Sequence, residues 1–555
     1  MALGQPVWSR VDEAAHYDVI AQYAAGIYPR DAQTTIRPET LDIMERTGVY
    51  GFVVDSTYVH PDPGFQALPE GLSDAEHVLW IRRHGYQYSY EAFQPPLYYA
   101  VALPAWVAGD ALGGPVGALY AVRVFDALLA ALLAPLSLLI ALALWPGHRA
   151  LGWGAALLTA VLPGVALNLT SVTNDVLVSV LGATCVLVAV SGSWSRRRVV
   201  LLGLLFGAAL LTKTTAVGLV PALAVALLQR QRGGGVRSLV AAFAISGALF
   251  VPWIVSNLAI YGEAITTREQ LAMAAFPART ASLDFWSVST LHAFVTFWTG
   301  DPFVSLPGAV PLAFLAAFLT ALALAGLARA GRRPSLGVAR PALLLLALAA
   351  AGAGLVAVTS PVLAAFNAPG RLAYAGLCAV IALVAAGLWV ELPSPRLRWA
   401  TIGTFAALSI GGLALTVIPA AAPPTGSGGP VIKTLTPLQG GGSFGSFDFN
   451  VDSCAVDTSG DVWVEVRFQN GGSEPVEWSQ TVEVRQYGSP QARSDYRRST
   501  QFPMAFAPGR TYSGWLRLGP ESRLHALSGS SLHLQDLATD GYRAIGGIDV
   551  PLILC

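Results

Sequence analysis

The sequence predicts a polytopic α-helical membrane protein of about 10–11 transmembrane helices, ending in an extracytoplasmic β-sandwich. Three observations predict it. Of 555 residues, 54% are hydrophobic and 12% charged, where soluble domains carry roughly 25% charged residues. Apolar runs long enough to be membrane helices recur up to residue 419. Beyond residue 430, apolar and polar residues alternate at a period of two between Gly, Pro, Ser and Asp, the pattern of half-buried strands. Formal net charge is +0, so bulk electrostatics give no case for a nucleic-acid partner.

Residues 1–97 form the first polar piece. It opens with "VDEAAHYDVIAQYAAG" at 11–26, which reads as a helix. There Asp12 and His16 share one face at i,i+4, and Glu13 and Tyr17 share the next. An ordinary amphipathic surface helix with a charged cap fits the same spacing. The piece closes with "YQYSYEAFQPPLYY" at 86–99, in which five tyrosines surround Glu91 and Gln94. Pro95–Pro96 rules out a regular helix through that pair but can begin one. The alternatives are an aromatic belt at the membrane interface and a re-entrant loop that places Glu91 and Gln94 beside a lipid headgroup.

The transmembrane core occupies 98–420. Its apolar runs lie at 122–145, 151–172, 174–191, 199–212, 214–230, 238–260, 309–328, 341–359, 372–391 and 400–419, and 96–112 reads as a re-entrant or short span. Arginines sort the loops. Arg149, Arg196 to Arg198, Arg230 with Arg232 and Arg237, Arg329 to Arg340, and Arg396 with Arg398 all fall on one side when the helices are counted in order. That side is cytoplasmic by the positive-inside rule. Residues 1–97, the loop 261–308 and the tail then lie outside. A chain that starts outside must be carried there. The expectation is a first transmembrane helix upstream of Met1, with translocation by later helices as the alternative.

Ionisable groups at membrane depth are costly and are functional candidates by default. Here they collect at outer helix ends: Arg123 and Asp126, Asn174 and Asp175, Lys213, and Arg371. Arg123 and Asp126, at i,i+3, can neutralise each other. Lys213 and Arg371 have no acidic neighbour in sequence and stand where an anionic lipid phosphate would lie. Snorkelling anchors are the ordinary reading of both.

"PAAAPPTGSGGP" at 419–430 is a flexible hinge, with 421–430 as the linker proper. Residues 431–555 follow as the sandwich, in segments such as "DVWVEVRF" and "SSLHLQDL". Of four cysteines, Cys185 and Cys378 fall in apolar runs. Cys454 and Cys555 flank the tail and would join as a disulfide outside the cytoplasm, or else stay as two thiols. The chain has no Walker-type loop, dinucleotide fingerprint, paired CxxC or HExxH, so ATP-driven transport and zinc proteolysis lose their usual signatures.

Together these motifs resemble the GT-C superfamily of membrane glycosyltransferases, and within it the protein mannosyltransferase and aminoarabinose transferase clan. Asp12–Glu13 in "VDEAAHYD" resembles the acidic motif of the first outer loop, and "EAFQPPLYY" its "HQPPLYY"-type close. "NDVL", "ALLTKTT" and "APGRLAYAGL" resemble later stretches near the lipid donor. The likeness covers 1–420, and the tail is similar to the carbohydrate-binding tails of mycobacterial arabinosyltransferases. The resemblance implies a multi-pass bacterial plasma-membrane enzyme. It would move a sugar from a polyprenyl-phosphate-linked donor to a glycan, lipid or protein hydroxyl outside the cytoplasm, with inversion. Asp12 would be the base, with Glu13 second. His16 and Tyr17 would border the substrate, Glu91 and Gln94 would shape its pocket, and Asn174, Asp175, Lys213 and Arg371 would meet the lipid phosphate. A divalent cation (Mg, Mn or Ca) held by Asp12 and His16 is the one cofactor expected. Two rivals remain open: a lipid-linked-sugar flippase, which expects charges deep within helices, and a non-enzymatic protein binding cell-wall glycan, which leaves the acidic and QPP motifs without a purpose.

Overall fold

The computed structural model describes residues 13–28, 37, 40, 91–191, 194–230, 235–265, 283–300, 309–332, 340–364, 369–420, 432–444, 447–457, 461–473, 476–477, 481–486, 489–493, 505–506, 509, 511–520, 530–537 and 544–551. Asp12, the linker 421–430 and Cys555 lie outside them. The helices belong to one compact unit, drawn from 1–30, 91–271 and 278–422, and the strands to a second.

Helix α1 is Glu13–Ala24, with Glu13 in its first turn, where a carboxylate complements the helix dipole. Helix α2 begins at Leu97, directly after Pro95–Pro96, with Pro96 at φ −78 as its N-cap. The missing prolyl N–H is one a helix start leaves unbonded anyway. Although α2 runs to Ala131, it is not one rod. Gly113 (φ −150, ψ 22) and Gly114 (φ 63, ψ −160) interrupt it. A Cβ on Gly109 would come within 2.5 Å of the Gly117 carbonyl and 2.8 Å of the Ala118 Cα. Residues eight apart in a straight helix stand about 12 Å apart, so the two halves double back as a hairpin. The left-handed Gly114 makes the reversal, since a side chain there would be strained. Gly109→Val should wedge the hairpin open, at about 1–3 kcal/mol for overpacking. Thermal unfolding of the purified protein would show it as a lowered Tm.

Helices α3 (Leu133–Leu144), α4 (Arg149–Ala160) and α5 (Pro163–Asn168) follow. Pro163 splits the run expected at 151–172, because its ring ends the preceding helix. Helix α6 is Asn174–Val190, capped by Thr173, whose hydroxyl accepts from the Asp175 N–H at 3.2 Å. Helix α7, Arg196–Thr212, is capped by Ser195. It ends at an extended Lys213, and a 3-10 turn, Thr214–Leu219, leads into α8 (Val220–Arg230). Helices α9 (Gly235–Tyr261), α10 (Leu283–Thr299), α11 (Ala309–Arg332) and α12 (Arg340–Ala364) come next. A second 3-10 turn, Gly370–Gly376, then leads into α13 (Leu377–Glu391), and α14 (Pro395–Ala420) ends the unit.

By length and composition, five described stretches can cross a membrane: Leu97–Leu144, Gly235–Tyr261, Val310–Ala330, Gly370–Glu391 and Pro395–Ala414. Shorter apolar helices lie at Asn174–Val190, Thr214–Gln229 and Leu343–Thr359. On α11, Phe314 and Phe318 are 73% and 61% exposed. Bare aromatic rings on a continuous apolar helix suit a hydrocarbon surround rather than water. At the other extreme α13 is almost wholly buried and forms the centre of the unit.

The second unit holds strands β1 (Ile432–Phe444), β2 (Phe447–Asp457), β3 (Asp461–Asn470), β4 (Val476–Glu477), β5 (Thr481–Gln486), β6 (Ser489–Arg493), β7 (Ala505–Phe506), β8 (Thr511–Pro520), β9 (Ser530–Leu537) and β10 (Ala544–Pro551), in two four-stranded antiparallel sheets, ordered β1-β2-β3-β8 and β10-β9-β5-β6, and a two-stranded β4-β7. In the first, β1 pairs with β2, β2 with β3, and β3 with β8. Cys454 on β2 is buried and disulfide-bonded, while Cys185 and Cys378 are free thiols buried among the helices.

Candidate functional site

A buried polar network joins the start of α1, the turn before α2, the start of α6, the end of α7 and the second 3-10 turn. Glu13 is its best-held member. Arg123 on α2 donates to both its oxygens, from Nε at 2.7 Å and NH2 at 2.6 Å. The Val172 N–H adds a third bond at 2.9 Å, and both side chains of the pair are fully buried. Such a carboxylate is tolerated only because every bond it demands is supplied.

One turn along α1, His16 Nδ1 lies 2.9 Å from the Tyr99 hydroxyl and 3.8 Å from Glu91 Oε2. Tyr17 donates to the Pro115 carbonyl at 3.0 Å, and Trp106 packs at its ring. The Tyr17 hydroxyl ties α1 to the residue just after the hairpin turn. Tyr98 donates to Asp126 at 2.7 Å, and the same oxygen accepts the Thr173 N–H at 3.3 Å.

The third group centres on Asp175. Lys213 Nζ sits 2.6 Å from its Oδ1, and Arg371 NH1 is 3.6 Å from its Oδ2. The two cations reach it from different elements. Lys213 is the last residue before one 3-10 turn, and Arg371 is the second residue of the other. A Cβ on Gly182 would lie 2.3 Å from the Ala375 carbonyl, so only glycine lets that second turn press against α6. Thr296 on α10 accepts the Gly370 N–H at 2.7 Å, and Tyr374 donates to the Phe297 carbonyl at 3.2 Å. These contacts pin the turn on both sides of Arg371. Beside Asp175, the Asn174 amide bonds Gln94 Oε1 at 3.3 Å.

The structure therefore gathers Glu13, His16, Glu91, Gln94, Asn174, Asp175, Lys213 and Arg371 into one network, with Tyr17 at its edge. Asp12 lies outside the described residues. Lys213 and Arg371, which have no acidic neighbour in sequence, share a distant one: Asp175 stands 38 residues from Lys213. One expectation needs correction. Arg123 and Asp126 do not neutralise each other, since Arg123 turns to Glu13 and Asp126 accepts from Tyr98 and Thr173. Thr173, Tyr98 and Tyr99 were missed as members of the site. The tyrosines of "PPLYY" carried the signal, because consecutive positions at the start of a helix face different neighbours. Among the described residues no group of three or more His, Cys, Asp or Glu is placed to hold a metal ion.

Two cations, from two different 3-10 turns, therefore face the one carboxylate of Asp175.

A family model described as a predicted membrane protein, DUF2142, matches residues 1–368. No curated protein matches the chain. Among solved structures the chain is similar to ArnT from Cupriavidus metallidurans bound to undecaprenyl phosphate. That alignment has 16% identity and a TM-score of 0.42, covering 74% of this chain and 60% of that one. ArnT of the same organism in the apo state aligns at 17% identity and a TM-score of 0.36, covering 69% and 72%. The Archaeoglobus fulgidus oligosaccharyltransferase complex with zinc and sulfate aligns at 15% identity and a TM-score of 0.35, covering 60% and 44%. Each is a likeness and assigns this chain no ligand.

Proposed function

We propose, for a chain that belongs to the DUF2142 family of predicted membrane proteins, a glycosyltransferase that takes a sugar from a polyprenyl-phosphate-linked donor. It passes the sugar to a hydroxyl of a glycan, lipid or protein on the extracytoplasmic face of a bacterial plasma membrane. One observation carries this reading: Lys213 and Arg371 converge on the single carboxylate of Asp175, within the network that also holds the helix of the acidic motif.

In the reaction, the acceptor oxygen attacks the anomeric carbon and the carbon–oxygen bond to phosphate breaks on the opposite face, so the anomeric centre inverts. The acceptor proton passes to the Asp12 carboxylate. The departing polyprenyl phosphate takes the bonding electrons, and Lys213 and Arg371 hold the charge that develops on it. Glu13, whose two oxygens bind Arg123 and the Val172 N–H, fixes the start of α1, directly after Asp12 in sequence. Glu91 and Gln94 border the sugar. A divalent cation (Mg, Mn or Ca) held by Asp12 and His16 belongs to the same reading, and none of the steps above is routed through it.

The domain assignment follows the same reading: 1–97 as the catalytic outer loop, 98–420 as the spanning core with a second outer loop at 261–308, and 431–555 as a sandwich that binds carbohydrate. Alternating faces of its two antiparallel sheets favour that packing.

The test uses the purified full chain with a lipid-linked sugar and a hydroxyl acceptor, following release of polyprenyl phosphate. Asp12→Asn should lower turnover by at least about a hundredfold, as loss of a general base does. Undiminished turnover would exclude Asp12 as that base.

A further inference from the structure

Gln94 occupies a stiff position. Its N–H bonds the Glu91 carbonyl at 3.1 Å, and Pro95 follows it, restricting its backbone to extended or turn conformations. Its side-chain orientation is settled by a relay of polarity. The Asn174 amide faces two atoms, the Thr212 carbonyl oxygen at 3.5 Å and Gln94 Oε1 at 3.3 Å. A backbone carbonyl can only accept, so the Asn174 atom turned to it is the nitrogen. That nitrogen is a donor to Gln94 as well, so Gln94 turns its oxygen inward. Its other end, Nε2 with two N–H groups, is left to face outward.

Burial agrees with this direction. Asn174 is completely buried, so its amide cannot flip without stranding Thr212, whereas Gln94 is half-buried. Among the described residues the Gln94 side chain makes no other hydrogen bond than the one to Asn174. Asn174 directly precedes Asp175, and Thr212 directly precedes Lys213. Gln94 is thus bonded to the residue before Asp175, which in turn faces the carbonyl of the residue before Lys213.

We propose that Asn174 is a positioning residue that makes Gln94 a hydrogen-bond donor to an oxygen of the lipid-linked substrate, either a phosphate oxygen or a sugar hydroxyl oxygen. The proposal rests on the transferase reading. It adds that position 94 reads acceptors only, and that the polarity of residue 174 decides this.

Binding of polyprenyl phosphate, bare and hexose-bearing, to the purified full chain tests it. Asn174→Asp offers Gln94 an acceptor in place of a donor, so Gln94 turns and presents its oxygen to the ligand. Affinity should fall about tenfold, the worth of one hydrogen bond replaced by an acceptor–acceptor contact. Gln94→Glu, at a half-buried position that tolerates it, should do the same. Combining Asn174→Asp with Gln94→Lys restores a donor that no longer depends on an asparagine, and should recover binding. The added charge of Gln94→Lys alone strengthens wild-type binding as well, so the donor role is read from a recovery in the double variant that exceeds that gain; a merely structural asparagine predicts equal gains in both backgrounds. Loss with the hexose-bearing lipid alone identifies a sugar oxygen as the group read; equal loss with the bare phosphate identifies a phosphate oxygen. Unchanged binding in both Asn174→Asp and Gln94→Glu overturns the inference. Lys213→Ala is the control for the underlying reading. If it too leaves binding unchanged, the phosphate site itself is wrong; if it weakens binding while the amide variants do not, only the role of Asn174 falls.

Discussion

Arg123→Leu should destabilise the protein by about 3–5 kcal/mol, because it strands a fully buried carboxylate. The fully buried Glu13 carboxylate is held by the two-pronged guanidinium contact and the Val172 N–H. The Tyr120 ring packs 5.5 Å from that guanidinium, so the substitution also removes a packed group. With the arginine gone, either Glu13 takes up a proton or α1 leaves its seat; both weaken the tie between α1 and α2. Replacing both partners by leucine should recover most of the loss, since two apolar side chains of similar bulk need no solvation. Thermal unfolding of the two single variants and the double variant measures the coupling. Turnover of the double variant then separates two roles for Glu13. A stable, active double variant makes the acid purely structural, whereas a stable, inactive one gives it a share in the chemistry. A single Arg123→Leu as stable as wild type would refute the buried ion pair.

Local features of this fold were legible in the sequence, and long-range partnerships were not. Pro95–Pro96 announced a helix start because a proline acts on its own turn, and α2 begins at Leu97. Helix α1 followed from the spacing of "VDEAAHYDVIAQYA". The double glycine before Pro115 held the signal for the hairpin, since Gly-Gly-Pro is a strong interruption of any helix, yet hydropathy alone reads through it. What periodicity cannot supply is which charge meets which. Glu13 and Arg123 are 110 residues apart, and Asp175 takes one cation from each of two 3-10 turns. At i,i+3 on one helix, Arg123 and Asp126 look paired. The fold offers Arg123 a better acceptor, one that no water can compete for, and the local pair gives way. The stretches that carry the resemblance all reach one network; what they could not state is that Lys213 and Arg371 share a carboxylate.

That shared carboxylate makes the anion site a matter of charge balance, with opposite expected results for its two sides. Lys213→Ala removes the cation closest to Asp175, at 2.6 Å, and leaves Arg371 to neutralise it. One of the two cations that would meet a phosphate is then gone. Affinity for polyprenyl phosphate should fall by about 1.5–3 kcal/mol, the value of a hydrogen bond to a charged group, which is at least tenfold. Asp175→Asn works the other way. It keeps the side-chain shape and the Thr173 cap, whose hydroxyl binds the Asp175 backbone N–H, but frees both cations from their internal anion. An incoming phosphate then no longer competes with a carboxylate, so it should bind more tightly. Product release should slow, and turnover should drop even as affinity rises. Added salt should erode the gain in Asp175→Asn more than it erodes wild-type binding, because that variant has lost a negative charge beside the cations. Titration of polyprenyl phosphate into each variant at two salt concentrations decides the matter. If Asp175→Asn weakens binding as Lys213→Ala does, the carboxylate shapes the cations rather than competing for them, and the anion must be held by their geometry instead of by their net charge.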